Sequence, residues 1–216
     1  MIRYTGKGDW ILDLFAGEGT SLIECKQWGR NGVGVELVPR VAARANQLIK
    51  AQENPRVFVE VVTGDSTSVR TKKRVKAILA THNISQVQLI ILHPPYFNII
   101  RFSNNSNDLS NAPSLQTYLQ RLRQVVENFA ELLEKRRYMI LVIGDYYANG
   151  EYVPLAFETM RTIVNIGLFK LKGIVVKNIQ GNRGKIGQEH LWRYRALKGG
   201  FYIFKHEYIF VFQKLR

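Results

Sequence analysis

The sequence predicts an α/β domain whose sheet has seven strands, mostly parallel, with an antiparallel strand at the C-terminal end. Three observations predict it. Short apolar runs alternate with segments of helical period along most of the chain. The first run closes on a glycine-rich turn that opens a helix. The last two runs have no helical pattern between them, so they pair antiparallel. Strand–helix alternation implies a parallel sheet covered on both faces, with ligands at the carboxyl ends of its strands.

The elements follow in order. "DWILDLF" is the first strand, and "GTSLIECKQWG" behind it carries apolar residues at helical spacing and stops at Gly29. "NGVGVEL" is the second strand. Pro39 opens the helix "PRVAARANQLIKAQEN", a favourable first-turn place for proline. "RVFVEVV" and "VQLIILH" are the third and fourth strands, separated by the basic helical segment "SVRTKKRVKAILATHN". "SLQTYLQRLRQVVENFAELLEKRR" reads as one long amphipathic helix. "YMILVIGDYY" is the fifth strand, "PLAFETMRTIVNIG" a helix, "FKLKGIVVKN" the sixth strand and "HEYIFVFQK" the seventh. No repeat or linker divides the chain, so residues 1–216 form one domain. Two polar stretches, 98–113 and 178–200, read as long loops and as candidate substrate-recognition segments.

Composition narrows the function. Of 216 residues, 46% are apolar and 22% charged, the profile of a globular protein. No apolar run approaches the roughly 18 residues that a membrane span needs, and the N-terminus has no signal-peptide core. A cytoplasmic protein without membrane partners is expected. The single cysteine, Cys25, excludes an internal disulfide and a cysteine-built metal site, and no metal is expected. Thirty-one Lys+Arg against seventeen Asp+Glu leave a net charge of +14, which favours a polyanionic partner, nucleic acid first.

"DLFAGEGTS" links the first strand to the first helix, and Gly17 and Gly19 let its backbone turn tightly beside a ligand. Glu36 ends the second strand about 20 residues on, where an acid can take both hydroxyls of a ribose. Asp65 ends the third strand in "TGDS", so Asp13, Glu36 and Asp65 face one crevice. A dinucleotide fingerprint would want glycine where Leu22 stands. Three carboxylates repel a pyrophosphate and suit a cofactor with net positive charge. S-adenosylmethionine carries a sulfonium, an ammonium, a ribose diol and an adenine amine that can donate to Asp65.

The fourth strand runs into "HPPY". Two prolines end a strand, since neither can donate to a ladder. Taken with "DLFAGEGT", Glu36 and Asp65, this tetrapeptide resembles the amino-methyltransferases of nucleic acids, which methylate N6 of adenine or N4 of cytosine in DNA. Their cofactor loop, Asp-x-Phe-x-Gly-x-Gly-Thr, is matched by Asp13, Phe15, Gly17, Gly19 and Thr20. Their catalytic tetrapeptide is Asp, Asn or Ser followed by Pro-Pro-Tyr. "WGRNGVGVELVPR" and "HEYIFVFQK" are similar to the family too, and the resemblance runs from about residue 9 to the C-terminus.

The resemblance implies a Rossmann-like class I methyltransferase fold, S-adenosylmethionine as cofactor, DNA as partner and restriction-modification as a setting. It implies a cofactor site over Asp13, Phe15, Ala16, Gly17, Gly19, Thr20, Glu36, Leu37, Asp65 and Ser66, and a catalytic site over His93, Pro94, Pro95 and Tyr96. The chemistry suits these residues. The target amine shares its lone pair with the ring, so a side-chain acceptor and a backbone carbonyl must each take an amine hydrogen. The Pro-Pro backbone is stiff, and the carbonyls of His93 and Pro94 can project into the site. Tyr96 offers a flat face to a base swung out of the duplex.

His93 departs from the family pattern. A neutral imidazole accepts an amine hydrogen only in the correct tautomer. The departure leaves adenine against cytosine open, and with it an inactive homologue. Related tetrapeptides also serve methylation of RNA or of a protein glutamine, and a non-catalytic DNA-binding methylase-like subunit is a further reading. Asp145, after the fifth strand, is a second-tier candidate for the same pocket.

Lys177, Arg183, Lys185, Arg193 and Arg195 are interleaved with Trp192 and Tyr194, the pairing of phosphate-neutralising cations with base-stacking rings expected of strand binding. Methylases of this type often carry a separate recognition domain, for which this chain has no room. Recognition then falls to the two long loops or to a second subunit, including a homodimer, or is not stringent.

Overall fold

Alternation of side chains decides how the sheet is covered. In the computed structural model, which describes residues 1–179, 189–203 and 205–215 without the side chains of Glu189, His190 and Trp192, neighbouring strand residues enter two different cores. Ile11, Val61, Leu89 and Ile140 pack with Leu22, Cys25, Ala45 and Ile49 on one face. Leu12, Val62, Ile90 and Met139 pack on the other, with Val75, Leu79, Leu122, Phe129 and Ile163. Strands buried on both faces lose the polar half of the usual alternation, which is why these runs read as continuously apolar.

The strands are β1 (Trp10–Asp13), β2 (Asn31–Glu36), β3 (Val59–Thr63), β4 (Val87–Leu92), β5 (Leu133–Ile143), β6 (Tyr146–Ala148), β7 (Glu151–Val153), β8 (Phe169–Asn178) and β9 (His206–Lys214). The helices are α1 (Thr20–Gln27), α2 (Pro39–Lys50), α3 (Val69–Thr81), α4 (Leu115–Phe129), α5 (Leu155–Val164) and α6 (Glu189–Gly199). Seven strands form one sheet in the order β3-β2-β1-β4-β5-β9-β8, and β6 and β7 form a separate hairpin. The pairings β1–β2, β2–β3, β1–β4 and β4–β5 are parallel, and β9 runs antiparallel to both β5 and β8. The predicted α/β architecture and its antiparallel C-terminal strand are therefore present. The chain reverses its direction of winding between β1 and β4, and ligands of such sheets bind outside that point.

Three local expectations are corrected. The helix expected through residue 137 ends at Phe129; a short 3-10 turn follows and β5 begins at Leu133. Leu133 pairs with Val87, and the buried Lys214 ammonium donates to the carbonyls of Ala130 at 2.8 Å and Leu133 at 2.5 Å. Sheet pairing outweighs the helical preference of "LEKRR" here. The expected fifth strand stops at Ile143, and its "DYY" enters the β6–β7 hairpin. The 178–200 stretch, expected as a loop, carries α6. Among the described residues no helix is long and apolar enough to cross a membrane.

Candidate active site

A cavity of about 710 Å³ opens at the carboxyl ends of β1 to β4. Asp13, Glu36, Asp65 and the His93–Tyr96 turn all line it. The parallel register explains their convergence. Asp13 stands opposite Gly34 and Ile91, and Glu36 opposite Thr63, so neighbouring strands end at one level.

Each acid is fixed by the loop that follows its strand. Asp13 accepts the Phe15 N–H at 3.0 Å through Oδ1 and the Ser21 hydroxyl through Oδ2. Burial raises its carboxyl above the ordinary value, against the hydrogen bonds from Ser21 and Phe15. Glu36 accepts the Gly17 N–H at 2.9 Å and the Val38 N–H at 2.8 Å, one on each oxygen. Burial raises this carboxyl also, opposed by those two N–H groups. Asp65 takes the N–H and hydroxyl of Thr67 on Oδ1 at 2.8 and 2.7 Å, and its Oδ2 has no bond among the described residues.

Of the other expected cofactor residues, Phe15, Ala16, Gly17, Thr20, Leu37 and Ser66 line the cavity. Gly17 has φ +52°, and a Cβ there would meet nothing within 4 Å, so its missing side chain leaves the wall open. Two residues have other tasks. Gly19 is outside the lining; it caps α1 at φ +82°, and its Cβ would lie 3.2 Å from that of Ala45 on α2. The Ser66 hydroxyl is buried and donates to the Leu14 carbonyl at 2.7 Å, tying the end of β3 to the end of β1.

The opposite wall belongs to the segment after the prolines. Ile99, Ile100 and Phe102 line the cavity with Asn107 and Asp108. Asp108 accepts from the hydroxyls of Ser103 and Ser110, each at 2.7 Å, and Asn111 donates to the carbonyls of Ser103 and Asn105, each at 2.8 Å. Part of the 98–113 stretch, expected as a recognition loop, is thus an internally bonded wall of the same cavity.

The turn itself is held from three sides. The Pro95 carbonyl accepts the Tyr118 hydroxyl at 2.8 Å and the Phe97 N–H at 2.9 Å, whereas the Pro94 carbonyl has no partner among the described residues. Phe97 has φ +52°, a left-handed conformation uncommon for an aromatic residue. Its buried ring packs edge-on against Tyr118 at 5.8 Å and near Tyr146 at 6.1 Å. Tyr96 crosses the end of β5, where a Cβ on Gly144 would lie 2.9 Å from its ring, and donates its hydroxyl to Glu207 on β9 at 2.6 Å.

His93 Nε2 lies 3.4 Å from the Tyr96 oxygen. His93 is exposed where it lines the cavity, yet partial desolvation by the protein around it lowers its pKa, against the Glu207 and Asp13 carboxylates. Burial would raise the Glu207 carboxyl, but the hydrogen bonds from Lys177 and Tyr96 prevail and its pKa is lowered.

Several expected residues lie elsewhere. Asp145 does not line the cavity; it accepts the Ala156 N–H at 2.7 Å at the start of α5 and the Tyr152 hydroxyl. Lys177, expected at nucleic acid, is engaged by Glu207 at 2.6 Å. Arg193 and Arg195 are exposed on α6, beside exposed Tyr194, and Tyr202 just beyond is 93% exposed. Arg183, Lys185 and the Trp192 side chain lie outside the described residues. At the end of α6, Phe201 stacks on Tyr147 of the hairpin at 4.0 Å.

Known proteins share this framework. A methyltransferase from Methanosarcina mazei, described as SAM-dependent, superposes with a TM-score of 0.61 at 12% identity, covering 99% of this chain and 95% of that one. The N-methyltransferase NodS from Bradyrhizobium japonicum, in complex with S-adenosyl-L-homocysteine, gives 0.58 at 10% identity over 98% and 80% of the two chains. TrmN from Thermus thermophilus gives 0.58 at 14% identity, and this chain spans 97% of itself and 45% of TrmN. At these identities the likeness is one of fold, the Rossmann-like fold of class I methyltransferases. No curated protein sequence matches the chain. The family model for N6 and N4 methyltransferases, described as DNA methylase, matches residues 87–216, more than half the chain and all of it from β4 onward. Since that segment begins at the strand leading into His-Pro-Pro-Tyr and ends beyond the antiparallel strand that anchors its tyrosine, the chain belongs to the DNA methylase family.

Proposed function

We propose that this chain transfers a methyl group from S-adenosylmethionine to an exocyclic amine of a base in DNA, N6 of adenine or N4 of cytosine. One observation carries the reading: the His93–Tyr96 turn and the three strand-end carboxylates line the same cavity. The donor set fits the cofactor. Each Glu36 oxygen accepts one N–H and keeps a second lone pair for a ribose hydroxyl, while Asp65 Oδ2 is open to an amine. Carboxylates at three strand ends also favour a cation over a pyrophosphate.

When bound, the cofactor supplies an electrophilic methyl group on its sulfonium. The residues of the chain prepare the nucleophile. His93, whose charged form partial desolvation disfavours, accepts one amine hydrogen in its neutral state, and the Pro94 carbonyl, without a partner among the described residues, accepts the other. Those two acceptors draw the nitrogen toward tetrahedral geometry and free its lone pair. The Tyr96 ring, held by Gly144 beneath it and Glu207 at its hydroxyl, offers a fixed face to the flipped base. Placement then supplies the acceleration, because little in the turn has to reorganise.

The exposed cations and rings of residues 193–202 favour a strand partner. Incubation of the purified chain with labelled S-adenosylmethionine and DNA, RNA or protein, followed by digestion, tests the reading. N6-methyladenine or N4-methylcytosine in DNA is the expected product. Label confined to RNA or to a glutamine side chain overturns the choice of substrate. Binding of cofactor and DNA with no label anywhere overturns the enzyme reading in favour of a non-catalytic subunit.

A further inference from the structure

The Tyr96 hydroxyl stands between two groups that constrain its one hydrogen. On one side is Glu207, buried on β9, with Oε2 at 2.6 Å. On the other is His93, with Nε2 at 3.4 Å. Glu207 also holds Lys177 Nζ on Oε1 at 2.6 Å, and the two are register partners across the antiparallel β8–β9 pair. A paired carboxylate has no hydrogen to give, so the Tyr96 hydrogen goes to Glu207. The tyrosine oxygen can then face His93 only as an acceptor. Nε2 must carry the ring hydrogen, and Nδ1 keeps the lone pair.

We propose that Lys177, Glu207 and Tyr96 are positioning residues that hold His93 as its Nε2–H tautomer and so present Nδ1 as the acceptor for the amine hydrogen. The proposal rests on the reading of His93 as the side-chain acceptor. It gives a physical reason why an imidazole can serve at this place, since an unanchored ring offers a donor as readily as an acceptor. Lys177 keeps Glu207 ionised, Glu207 sets the direction of the Tyr96 hydroxyl, and that hydroxyl sets the ring. The charged groups around His93 are Asp13 from β1, Glu207 from β9 and Lys177 from β8, and of these only Glu207 bonds to Tyr96. Gly144, just past the end of β5, makes the chain of contacts sterically possible, because a Cβ there would lie 2.9 Å from the Tyr96 ring on its path from β4 to β9.

Nitrogen-15 spectra of the labelled chain read the tautomer directly, with His93 assigned by its loss in His93→Gln. At pH 8 the wild-type ring should show hydrogen on Nε2 and a bare Nδ1. In Glu207→Gln the amide oxygen turns to Lys177 and its NH₂ donates to Tyr96. The tyrosine hydrogen is then released to His93 Nε2, and the pattern should reverse, with hydrogen on Nδ1. Single-turnover methylation should fall at least tenfold in that variant, with binding of S-adenosylmethionine unchanged. In Tyr96→Phe, which keeps the ring and removes the anchor, the two nitrogen shifts should move toward each other. A wild-type His93 with hydrogen on Nδ1, or shifts unmoved in both variants, overturns the proposal. The spectra need no methyl acceptor, so an anchored and reversible tautomer supports the relay even in a chain that methylates nothing, and the two failures are told apart.

Discussion

Tyr118, buried in α4, donates its hydroxyl to the carbonyl of Pro95 at 2.8 Å, joining a helix in the core to the turn at the cavity. Tyr118→Phe keeps the ring and its edge contact with Phe97 but leaves the turn one bond short. A loss of about 0.5–1.5 kcal/mol in urea unfolding is expected, the usual net value of a hydrogen bond. Methylation should slow while cofactor affinity stays constant. A variant equal to wild type in both measurements would detach Tyr118 from the site.

Glu36→Ala should weaken S-adenosylmethionine binding by about 1.5–3 kcal/mol, the range for bonds to a charged group. Calorimetry gives the affinity. The loss has two sources, the ribose contact and the Gly17 N–H that the carboxylate holds in place. Unchanged affinity in a folded variant removes Glu36 from the cofactor site.

Methylation should depend on pH through His93. Partial desolvation of this exposed ring disfavours the imidazolium, so the folded pKa lies below the unfolded value of about 6.5. The rate should be flat above that pH and fall as pH drops through the lower, folded pKa, because a protonated ring donates where an acceptor is needed. Stability follows the same sign. The unfolded chain takes up the proton first, so the contribution of His93 is zero above about 6.5 and turns unfavourable as pH falls below it. His93→Asn should flatten the acid limb of the rate profile; an acid limb unchanged in that variant would assign it to another group.

Gly144→Ala places a methyl 2.9 Å from the Tyr96 ring. The ring must shift, at about 1–3 kcal/mol of overpacking. Single-turnover methylation should fall by more than the affinity for cofactor does. A variant that turns over at the wild-type rate would show that the position of Tyr96 is unimportant.

If α6 meets phosphate, the affinity for DNA falls with salt, and Arg193→Gln should reduce the slope of log K against log salt by about one unit. Titrations at several salt concentrations measure it. An unchanged slope would leave Arg193 as a solvated surface residue.

Local chemistry made much of this protein legible from its sequence. Period-two and helical patterns, Pro39 at a helix start, a glycine turn after β1 and two prolines after β4 are signals that act over a few residues. They placed the seven strands of the sheet and brought Asp13, Glu36, Asp65 and His93 to strand ends. Parallel pairing then leaves little freedom, because strands that wind in one direction end at one edge. What the pattern did not contain were choices made between distant segments. Leu133 is strand rather than helix because it pairs with Val87. Gly19 faces α2 rather than the cavity. Lys177 meets Glu207 because of the β8–β9 register, and Tyr96 reaches that same carboxylate 111 residues along the chain. The physical reason is range. Propensity and periodicity report the few neighbours within a turn or a pleat, whereas the partners of Tyr96 and His93 were decided by strand order and register, which only the assembled sheet sets.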